Sequence, residues 1–444
     1  MVDSTVQAVF GGITITTSGA LSTALLGRLE SLISSDNGYT FEDYTKGDPY
    51  PGDPGGSPLL ALTVTVDPTV MLPDQAGPIL LTAAATIAGG GAPTAVISDG
   101  ALTYTGAAAS ILAAGSTNVI TSTAEGAIIA VAAVTPSVSG SSTVYALGGS
   151  DTVSVDIGAP GSSNYVLLGG SGNVVGVDTV SSNSTDAATI NAAASSDNSI
   201  YTNGANVLIR AGSADSIYAS TAGTDTVYAT GSSFFFGRGA NAVFVGSGLS
   251  NTVFGGSGAT TVEGSRQGDL AFAGSGGTRF IGHGNDTIWG NQSDGTTATI
   301  FGFQGSHEMV VYGAANSLLI GMGAGATLDG ANSDGNLFFF ASPTAGNETL
   351  IGSNTGNGDS FYIAENTGGH STITIENFKD GDRLDLSALT QADWNVVSAG
   401  MSHGSSEFNL TDGTTVKFVN GTVSNGGAGG YFFGDSNTLA GHHG

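Results

Sequence analysis

Acidic and amide side chains recur two residues ahead of a regular series of apolar residues in the middle of this chain. The clearest example is Gly282-His-Gly-Asn-Asp-Thr-Ile288, in which Gly284 and Asp286 precede Ile288. Carboxylate and carbonyl oxygens are the ligands that calcium prefers, and glycine permits the tight left-handed turn that gathers them. The spacing therefore predicts turns that can hold a hard divalent cation wherever enough of them carry a carboxylate.

Eleven turn positions of this kind lie between residues 198 and 286, and four of them are aspartates. In chain order they are Asn198, Asn206, Asp215, Asp225, Ser233, Asn241, Asn251, Thr260, Asp269, Thr278 and Asp286. Asn and Thr side chains can hydrogen-bond from one coil to the next without an ion. The sequence thus predicts a turn ladder at Asn198, Asn206, Asn241, Asn251, Thr260 and Thr278, and a scaffold that depends little on calcium.

Asp269 and Asp286 form the strongest candidate calcium site. Successive turns should alternate between two edges, which makes these two residues neighbours on one edge, with Gly284 in the same turn. Two stacked carboxylates repel each other unless they share a cation. Aspartate is also an ordinary turn former, and that interpretation stays open for this pair. It is favoured at the three other candidate metal ligands, Asp151, Asp215 and Asp225.

The apolar residues that follow these turns are spaced by 8 to 10 residues. They are Ile200, Leu208, Ile217, Val227, Phe235, Val243, Val253, Val262, Ala271, Phe280 and Ile288. A step near nine residues is too short for a helix and its loop but suits one short strand and one tight turn. Two steps then make one coil of a solenoid with two facing parallel sheets. The spacing continues more loosely through Ile300, Val310, Leu319, Leu328, Phe338, Leu350 and Tyr362.

The repeat resembles the nonapeptide Gly-Gly-x-Gly-x-Asp-x-U-x, with U a large apolar residue, of the RTX proteins exported by type I secretion. The likeness covers roughly residues 143–420, and its best match is Gly282–Ile288. The segment Ile375–Leu386 is similar to the strand-turn-strand that closes many RTX rolls ahead of an uncleaved secretion signal. The resemblance implies a calcium-binding β-roll and export from a Gram-negative cell, as in surface-layer, biofilm-matrix and adhesin members.

Side chains for catalysis are sparse. His307-Glu308 is not followed by the second histidine that a zinc protease motif requires, and the six histidines are scattered. The Gly-Ser-Gly segments lie in repeat turns, which is the wrong context for a nucleophile elbow. The cations between residues 198 and 290 have no evident acidic partner cluster and are Arg210, Arg238, Arg266 and Arg279. An enzyme is therefore not favoured, although a polysaccharide lyase or hydrolase on a parallel β-helix stays open as an alternative.

Composition narrows the choice of partners and compartment. The 444 residues include 72 glycines and no cysteine, and 36 acidic against nine basic residues give a net charge of −27. Nucleic acid is excluded as a partner because the phosphates would lack cations, and no disulfide framework is possible. No run of 18 apolar residues predicts a membrane span. Since no Lys or Arg precedes Arg28, the basic start of a Sec signal peptide is missing, and an export address is expected elsewhere.

The chain divides by composition into five regions. They are a strand-helix cap at 1–48, a Pro/Gly linker at 49–58, an Ala/Thr/Val-rich β region at 59–142, the degenerate RTX-like solenoid at 143–370, and a C-terminal β cap with the secretion signal at 371–444. Leucines at helical spacing predict a helix over Ala20–Ile33. In the C-terminal region, a short helix is expected over Ser387–Trp394 and a β-hairpin with an Asp-Gly turn over Glu407–Val419.

The predicted fold class is all-β, a parallel β-roll or β-solenoid with short capping units and one N-terminal helix. The favoured function is that of a secreted structural protein at the surface of a Gram-negative bacterium. It would be a self-associating subunit of a surface layer, filament or biofilm matrix, forming a homo-oligomer or polymer. An adhesive role and cell-surface polysaccharide as a partner are further expectations. The alternative is a β-helix protein that degrades or binds polysaccharide.

Overall fold

The computed structural model describes residues 6–10 and 13–17 and most of the chain from 60 to 419. The larger gaps in this range are 63–68, 72–78, 89–94, 132–139, 180–186, 291–297, 303–307, 313–316, 322–324, 342–345 and 365–369. The described residues are almost entirely strands that stack in parallel as a β-solenoid, which confirms the predicted fold class. Two compact units, Met1–Phe234 and Phe235–Gly444, divide the chain within a single strand.

The N-terminal unit begins with β1 (Val6–Phe10) and β2 (Ile13–Thr17), which pair as an antiparallel hairpin. Its solenoid strands then alternate between two parallel sheets. Sheet I contains β3 (Leu60–Leu62), β5 (Ile79–Leu81), β7 (Val96–Ser98), β9 (Ser110–Ala113), β11 (Ile128–Val131), β13 (Thr152–Ile157), β15 (Val174–Thr179), β17 (Ser199–Asn203) and β19 (Asp215–Tyr218). Sheet II contains β4 (Thr69–Met71), β6 (Ala85–Ala88), β8 (Leu102–Gly106), β10 (Val119–Ser122), β12 (Thr143–Ala146), β14 (Ser163–Leu168), β16 (Ala187–Asn191), β18 (Asn206–Ala211) and β20 (Thr224–Ala229).

The C-terminal unit repeats the alternation, and the boundary between the units falls within β21 (Ser233–Phe236). Sheet II contains β22 (Asn241–Gly246), β24 (Thr260–Glu263), β26 (Thr278–Gly282), β28 (Ala298–Gly302), β30 (Leu318–Gly321), β32 (Phe338–Ala341), β34 (Ser360–Ile363) and β36 (Arg383–Asp385). Sheet I contains β23 (Thr252–Phe254), β25 (Leu270–Phe272), β27 (Thr287–Trp289), β29 (Glu308–Tyr312), β31 (Thr327–Asn332), β33 (Glu348–Ile351), β35 (Ser371–Glu376), β37 (Glu407–Asn409) and β38 (Thr414–Val419).

Each short strand buries every second side chain. In β18, Val207 and Ile209 are buried while Leu208 and Arg210 point outward, as the two-residue period of a strand requires. The buried positions of equivalent strands lie directly above one another, so that each coil adds one layer to a continuous apolar core. In the C-terminal unit this core includes stacked rings, such as Phe339 and Phe361 with centroids 4.7 Å apart.

The turns between strands pack so closely that glycine is required. At Gly284, a Cβ atom would lie 2.5 Å from the backbone nitrogen of Gly268 in the preceding coil, which is inside any tolerated contact. The glycine-rich composition therefore follows from the short distance between stacked turns rather than from chain flexibility.

The C-terminal end of sheet I is closed by an antiparallel hairpin and a helix. Strand β38 pairs in parallel with β35 on one side and antiparallel with β37 on the other. Helix α1 (Gln391–Ser402) begins after Thr390, whose hydroxyl and backbone nitrogen both hydrogen-bond with Asp393 in a capping arrangement. Val397 of this helix is buried, and Gly400 lies against the ring of Phe408 in β37.

Several local expectations differ from the structure. The C-terminal helix starts at Gln391 after Thr390 and not at Ser387, because Thr390 and Asp393 supply the cap. The hairpin over Glu407–Val419 forms as predicted, whereas the helix expected over Ala20–Ile33 lies outside the described residues. Four apolar residues of the regular series point outward instead of inward: Leu208, Val243, Phe338 and Tyr362. The 12-residue α1 shows that, in the part of the chain that is described, no helix is long and apolar enough to cross a membrane.

Candidate functional site

A ladder of buried polar side chains runs along the start of sheet I in the N-terminal unit. Each member accepts a hydrogen bond from the backbone nitrogen of the equivalent residue one coil earlier. Asp151 Oδ1 accepts from Ala127 at 2.7 Å, and Asn173 Oδ1 accepts from Asp151 at 2.9 Å. Asn198 then accepts from Asn173 at 3.2 Å, and Asp215 from Asn198 at 2.9 Å. The ladder joins successive turns through side-chain oxygens that accept from backbone N–H groups, and the Nδ2 groups of Asn173 and Asn198 donate to the same oxygens.

A ladder of the same kind runs through Asn251, Asp269 and Asp286 in the C-terminal unit. Asp269 Oδ1 accepts from the backbone nitrogen and Nδ2 of Asn251 at 2.6 and 2.9 Å. Asp286 Oδ1 accepts from the backbone nitrogen of Asp269 at 2.7 Å. The other oxygen of Asp269 accepts from the Ser265 backbone nitrogen. Asp269 and Asp286 are therefore adjacent on one edge, as the spacing predicts, and their oxygens face N–H donors.

Burial dominates the electrostatics of Asp286. Asp286 is 1% exposed, and burial, together with the Asp269 charge and opposed by backbone hydrogen bonds, raises its pKa to about 7. Among the described residues, no group of three or more His, Cys, Asp or Glu side chains could hold a metal ion together. Calcium binding at Asp269, Asp286 and Gly284 stays a prediction, and the donor hydrogen bonds show what holds these turns in the structure.

Three further predicted site residues, Asp225, Thr260 and Thr278, are buried in sheet II. Asp225 in β20 is fully buried, and its Oδ2 accepts from Thr202 Oγ1 at 3.0 Å and from the Ser220 backbone nitrogen at 3.1 Å. Burial raises its pKa to about 6. Thr260 and Thr278 are paired, buried neighbours in sheet II, and the Thr278 hydroxyl accepts from the Gly274 nitrogen at 3.3 Å. None of these residues extends the ladder of sheet I.

Asn206 and Asn241 lie one residue ahead of the expected turn position. The apolar residues that they precede, Leu208 and Val243, point outward. The inward positions of these two strands are therefore shifted by one residue from the predicted ones. Asn206 Oδ1 accepts from the Thr224 nitrogen at 2.9 Å, and Asn241 Oδ1 from the Ala259 nitrogen at 3.0 Å. These bonds run toward the following coil, opposite to the ladder of sheet I.

Further ladder members lie outside the stretch from which the ladder was predicted. In sheet II of the C-terminal unit, Asp359 Oδ1 accepts from Leu337 at 2.9 Å and Asp382 Oδ1 accepts from Asp359 at 2.8 Å. Glu348, the first residue of β33 in sheet I, is also buried but lacks such hydrogen bonds within the described part of the chain. It is 2% exposed, its Oε2 has no partner among the described residues, and burial raises its pKa to about 7.

The outer surface of sheet I in the C-terminal unit carries a row of aromatic rings. We call Phe236, Phe254, Phe272 and Trp289 the aromatic row. The centroids of successive rings are 5.9, 4.4 and 6.1 Å apart, and the Phe254 and Phe272 rings are stacked with an interplanar angle of 4°. Its end members remain 39% and 41% exposed, respectively. In the N-terminal unit, Tyr201 and Tyr218 stack in the same manner at 4.8 Å.

The side chains beside the aromatic row are also uncharged. Thr252, Leu270 and Thr287 are the other outward residues of β23, β25 and β27. An exposed apolar patch of stacked rings marks a surface that can contact another molecule. This patch is notable because the whole chain carries a net charge of −27.

The outer surface of sheet II in the same unit has a different character. Arg279 lies over the Phe301 ring, 4.9 Å from its centroid, and Glu263 is paired with Ile281 on neighbouring strands. Farther along, a groove of about 300 Å³ opens beside Phe338, Tyr362, Arg383 and Asp385. Aromatic rings and charged groups are thus mixed on this surface, whereas they are separated on sheet I.

The aromatic row was missed from the sequence, although a simple signal was present. Each ring follows a turn residue by three positions, as in Asn251-Thr-Val-Phe254, Asp269-Leu-Ala-Phe272 and Asp286-Thr-Ile-Trp289. In a strand that starts with a buried turn residue, the third residue after it must point outward. The predicted spacing uses one apolar residue per strand, whereas these strands carry a second apolar residue that points outward.

No protein-family model, no curated protein and no solved structure matches this chain, so the geometry of these two outer surfaces carries the functional argument.

Proposed function

We propose that this chain is a secreted structural protein that associates side by side with copies of itself through the aromatic row. It would serve as a subunit of a surface layer, filament or biofilm matrix outside a Gram-negative cell. The observation that carries the proposal is an exposed, stacked and uncharged aromatic surface on a highly acidic protein.

Charge selects the surface through which two copies can meet. Each copy carries −27, so most contacts between them would be repulsive, and like charges placed together cost several kcal/mol. The aromatic row and its threonine and leucine neighbours bring no charge into a contact. Burying these rings would remove apolar area from water with little electrostatic cost.

The closed end of sheet I favours lateral over end-to-end association at the C-terminus. An open sheet edge would offer unpaired backbone groups to another chain. Here β38 is paired on both sides, and α1 packs against the outer strand β37. Assembly through the flat outer surface of the sheet does not require this cap to open.

The dimensions of the aromatic row point to a weak contact per pair of molecules. The four rings lie on consecutive strands, so they span about 14 Å, three steps of about 4.8 Å each. A row of this length covers less area than the roughly 800 Å² that each partner of a stable interface buries. Assembly should therefore depend on concentration and on many contacts acting together.

Export rests on the resemblance of residues 282–288 and 375–386 to RTX proteins. We also propose that calcium binds at only a few sites. The ladder of Asn251, Asp269 and Asp286 should stay folded without calcium, because N–H donors satisfy its oxygens. The two ideas separate experimentally: a chelator would remove calcium from any site while leaving the ladder and the assembly in place.

Electron microscopy and sedimentation of the purified protein, each with calcium and with EGTA over a range of concentrations, test the proposal. We expect larger species to grow with concentration under both conditions. The double variant Phe254→Ser/Phe272→Ser should remain monomeric, because it removes the stacked centre of the aromatic row. The matched control is Tyr145→Ser/Tyr165→Ser, an outward aromatic pair of sheet II with centroids 6.2 Å apart. A strictly monomeric wild type under every condition, or a row variant that assembles normally, would refute the proposal.

A further inference from the structure

The groove on sheet II of the C-terminal unit is built from four consecutive strands. Along one line of paired residues, Phe338 in β32 is followed by Ser360 in β34 and Arg383 in β36. Along the parallel line, Tyr362 is followed by Asp385. The small Ser360 lies between larger neighbours, so the surface is hollow at this point, and the resulting groove measures about 300 Å³.

Two aromatic side chains form one wall of this groove. Phe340 and Tyr362 stack with centroids 4.9 Å apart and an interplanar angle of 18°. Phe338 borders the groove from the first line and is 49% exposed. The rings therefore present apolar surface to whatever occupies the hollow, while the far end presents Arg383 and Asp385.

We propose that this groove is a binding site for a neutral oligosaccharide, a function separate from the lateral assembly described above. A pyranose ring has an apolar face of C–H groups that packs on an aromatic ring and a rim of hydroxyls. The Asp385 carboxylate can accept hydrogen bonds from such hydroxyls, and the Arg383 guanidinium can donate to their oxygens. Ser360 adds a hydroxyl that can do either.

The size of the groove fits a short piece of a chain rather than a folded partner. Small-molecule sites occupy roughly 300–1,000 Å³, so a groove of about 300 Å³ holds one or two sugar rings. The flat outer surface of a second solenoid could not enter this hollow. A polymer of sugars, in contrast, could continue beyond it along the sheet.

Charge favours a neutral sugar over an acidic one. One cation and one anion at the end of the groove, Arg383 and Asp385, balance each other locally. The chain as a whole carries −27, which repels a polyuronate at low ionic strength. Neutral chains experience no such repulsion.

Isothermal titration of the full-length protein with cellohexaose, maltohexaose, mannohexaose and xylohexaose tests the site, with a hexamer of galacturonate as the acidic comparison. We expect at least one neutral hexasaccharide to bind with a Kd between micromolar and millimolar, and the galacturonate hexamer not to bind. Tyr362→Ala should weaken binding by roughly tenfold through loss of the ring wall. Asp385→Asn should weaken it severalfold while preserving size and shape.

The matched control is Phe254→Ala, which removes an outward ring from sheet I and should leave the Kd unchanged. Circular dichroism of each variant shows whether its fold is retained. Absence of binding by all four neutral hexasaccharides at millimolar concentration would overturn the proposal. So would binding that Tyr362→Ala and Asp385→Asn leave intact, or a loss of self-association in these two variants without any sugar binding. Because assembly is measured separately on the aromatic row, failure of one proposal does not decide the other.

Discussion

The outer surfaces of sheets I and II in the C-terminal unit both carry aromatic rings, but they differ in the charged residues around those rings. On sheet I, rings follow one another from Phe236 to Trp289 with uncharged neighbours, which makes a smooth apolar strip. On sheet II, rings alternate with Arg279, Arg383 and Asp385, and a serine interrupts the line to leave a groove. The aromatic row is suited to contact with another flat surface, and the groove is suited to binding a small polar ligand.

The difference shows where a solenoid is free to acquire function. The residues at inward positions are constrained by the core and the ladder, since the inward side chains of each coil must pack on those of the coils on either side. Outward positions meet only solvent and their direct neighbours in adjacent strands, as Phe254 meets Phe272. The same coil can therefore keep its fold while its two outer surfaces diverge.

The largest effect is expected from placing a charge in the aromatic row. Phe272→Glu puts a carboxylate between acidic copies, and the repulsion should weaken self-association by about a hundredfold, roughly 3 kcal/mol. The control is Thr299→Glu, which adds the same charge to sheet II beside its paired residue Arg279. Sedimentation equilibrium gives both dissociation constants. Equal losses in the two variants would mean that net charge, not the row, governs association.

The repeat length was predictable because strand and turn lengths are fixed by the coil. The inward direction was not predictable at Leu208, Val243, Phe338 and Tyr362. At Leu208, Val207 and Ile209 on either side are also apolar, so the alternation of polar and apolar residues vanishes from the sequence. It vanishes because the outward positions are themselves apolar. The outward apolar residues of the proposed functional surfaces thus remove the alternation of polar and apolar residues from which the inward direction could be predicted.

The ladder was predictable in kind but not in detail. Short polar side chains at the turn indicate bonds between coils, and Asn251, Asp269 and Asp286 form them. Which partner each oxygen takes depends on the stacking register of the turns. A stacking distance that places a carboxylate against the preceding backbone nitrogen cannot be read from residue types, and neither could the lone buried carboxyl of Glu348.

The next largest effect is expected at the start of the strand that ends in Trp289. Asp286→Ala leaves the buried Asp269 N–H without its acceptor and should lower the free energy of unfolding by about 2 kcal/mol. Asp286→Asn keeps an acceptor oxygen, as Asn251 and Asn198 do in other coils, and should be at least as stable as the wild type at pH 8. Urea unfolding measures both. If the alanine variant is as stable as the wild type, the ladder does not stabilise the strands that carry the aromatic row.

A pH effect of comparable size is expected from Glu348, the first residue of β33 in sheet I. Glu348 lies against Gly321 at the end of β30, and burial raises its pKa from 4.5 to about 7. The neutral carboxyl is therefore favoured in the folded state. Its contribution to stability is complete below pH 4.5 and is lost as the pH rises through 7.

Glu348→Gln removes this titration and should stabilise the protein by about 3 kcal/mol at pH 8. At pH 4.5 the variant and the wild type should unfold at nearly the same urea concentration. The exposed Glu407→Gln in β37 is the control and should change neither value. A Glu348 variant that loses stability equally at both pH values would show that the carboxyl has a partner in either protonation state.

The smallest effect tests whether the two surfaces are independent. Trp289 ends the aromatic row, stacks on Phe272 at 6.1 Å and is 41% exposed, so Trp289→Ala should cost about 0.5–1 kcal/mol of stability and weaken self-association severalfold. Phe338→Ala removes a ring of similar exposure from the groove and should weaken oligosaccharide binding without changing self-association. Urea unfolding, sedimentation and titration on both variants give a complete comparison. If each variant impairs both activities, the strip and the groove act as one surface, because a copy of the protein and a sugar would then compete for the same rings.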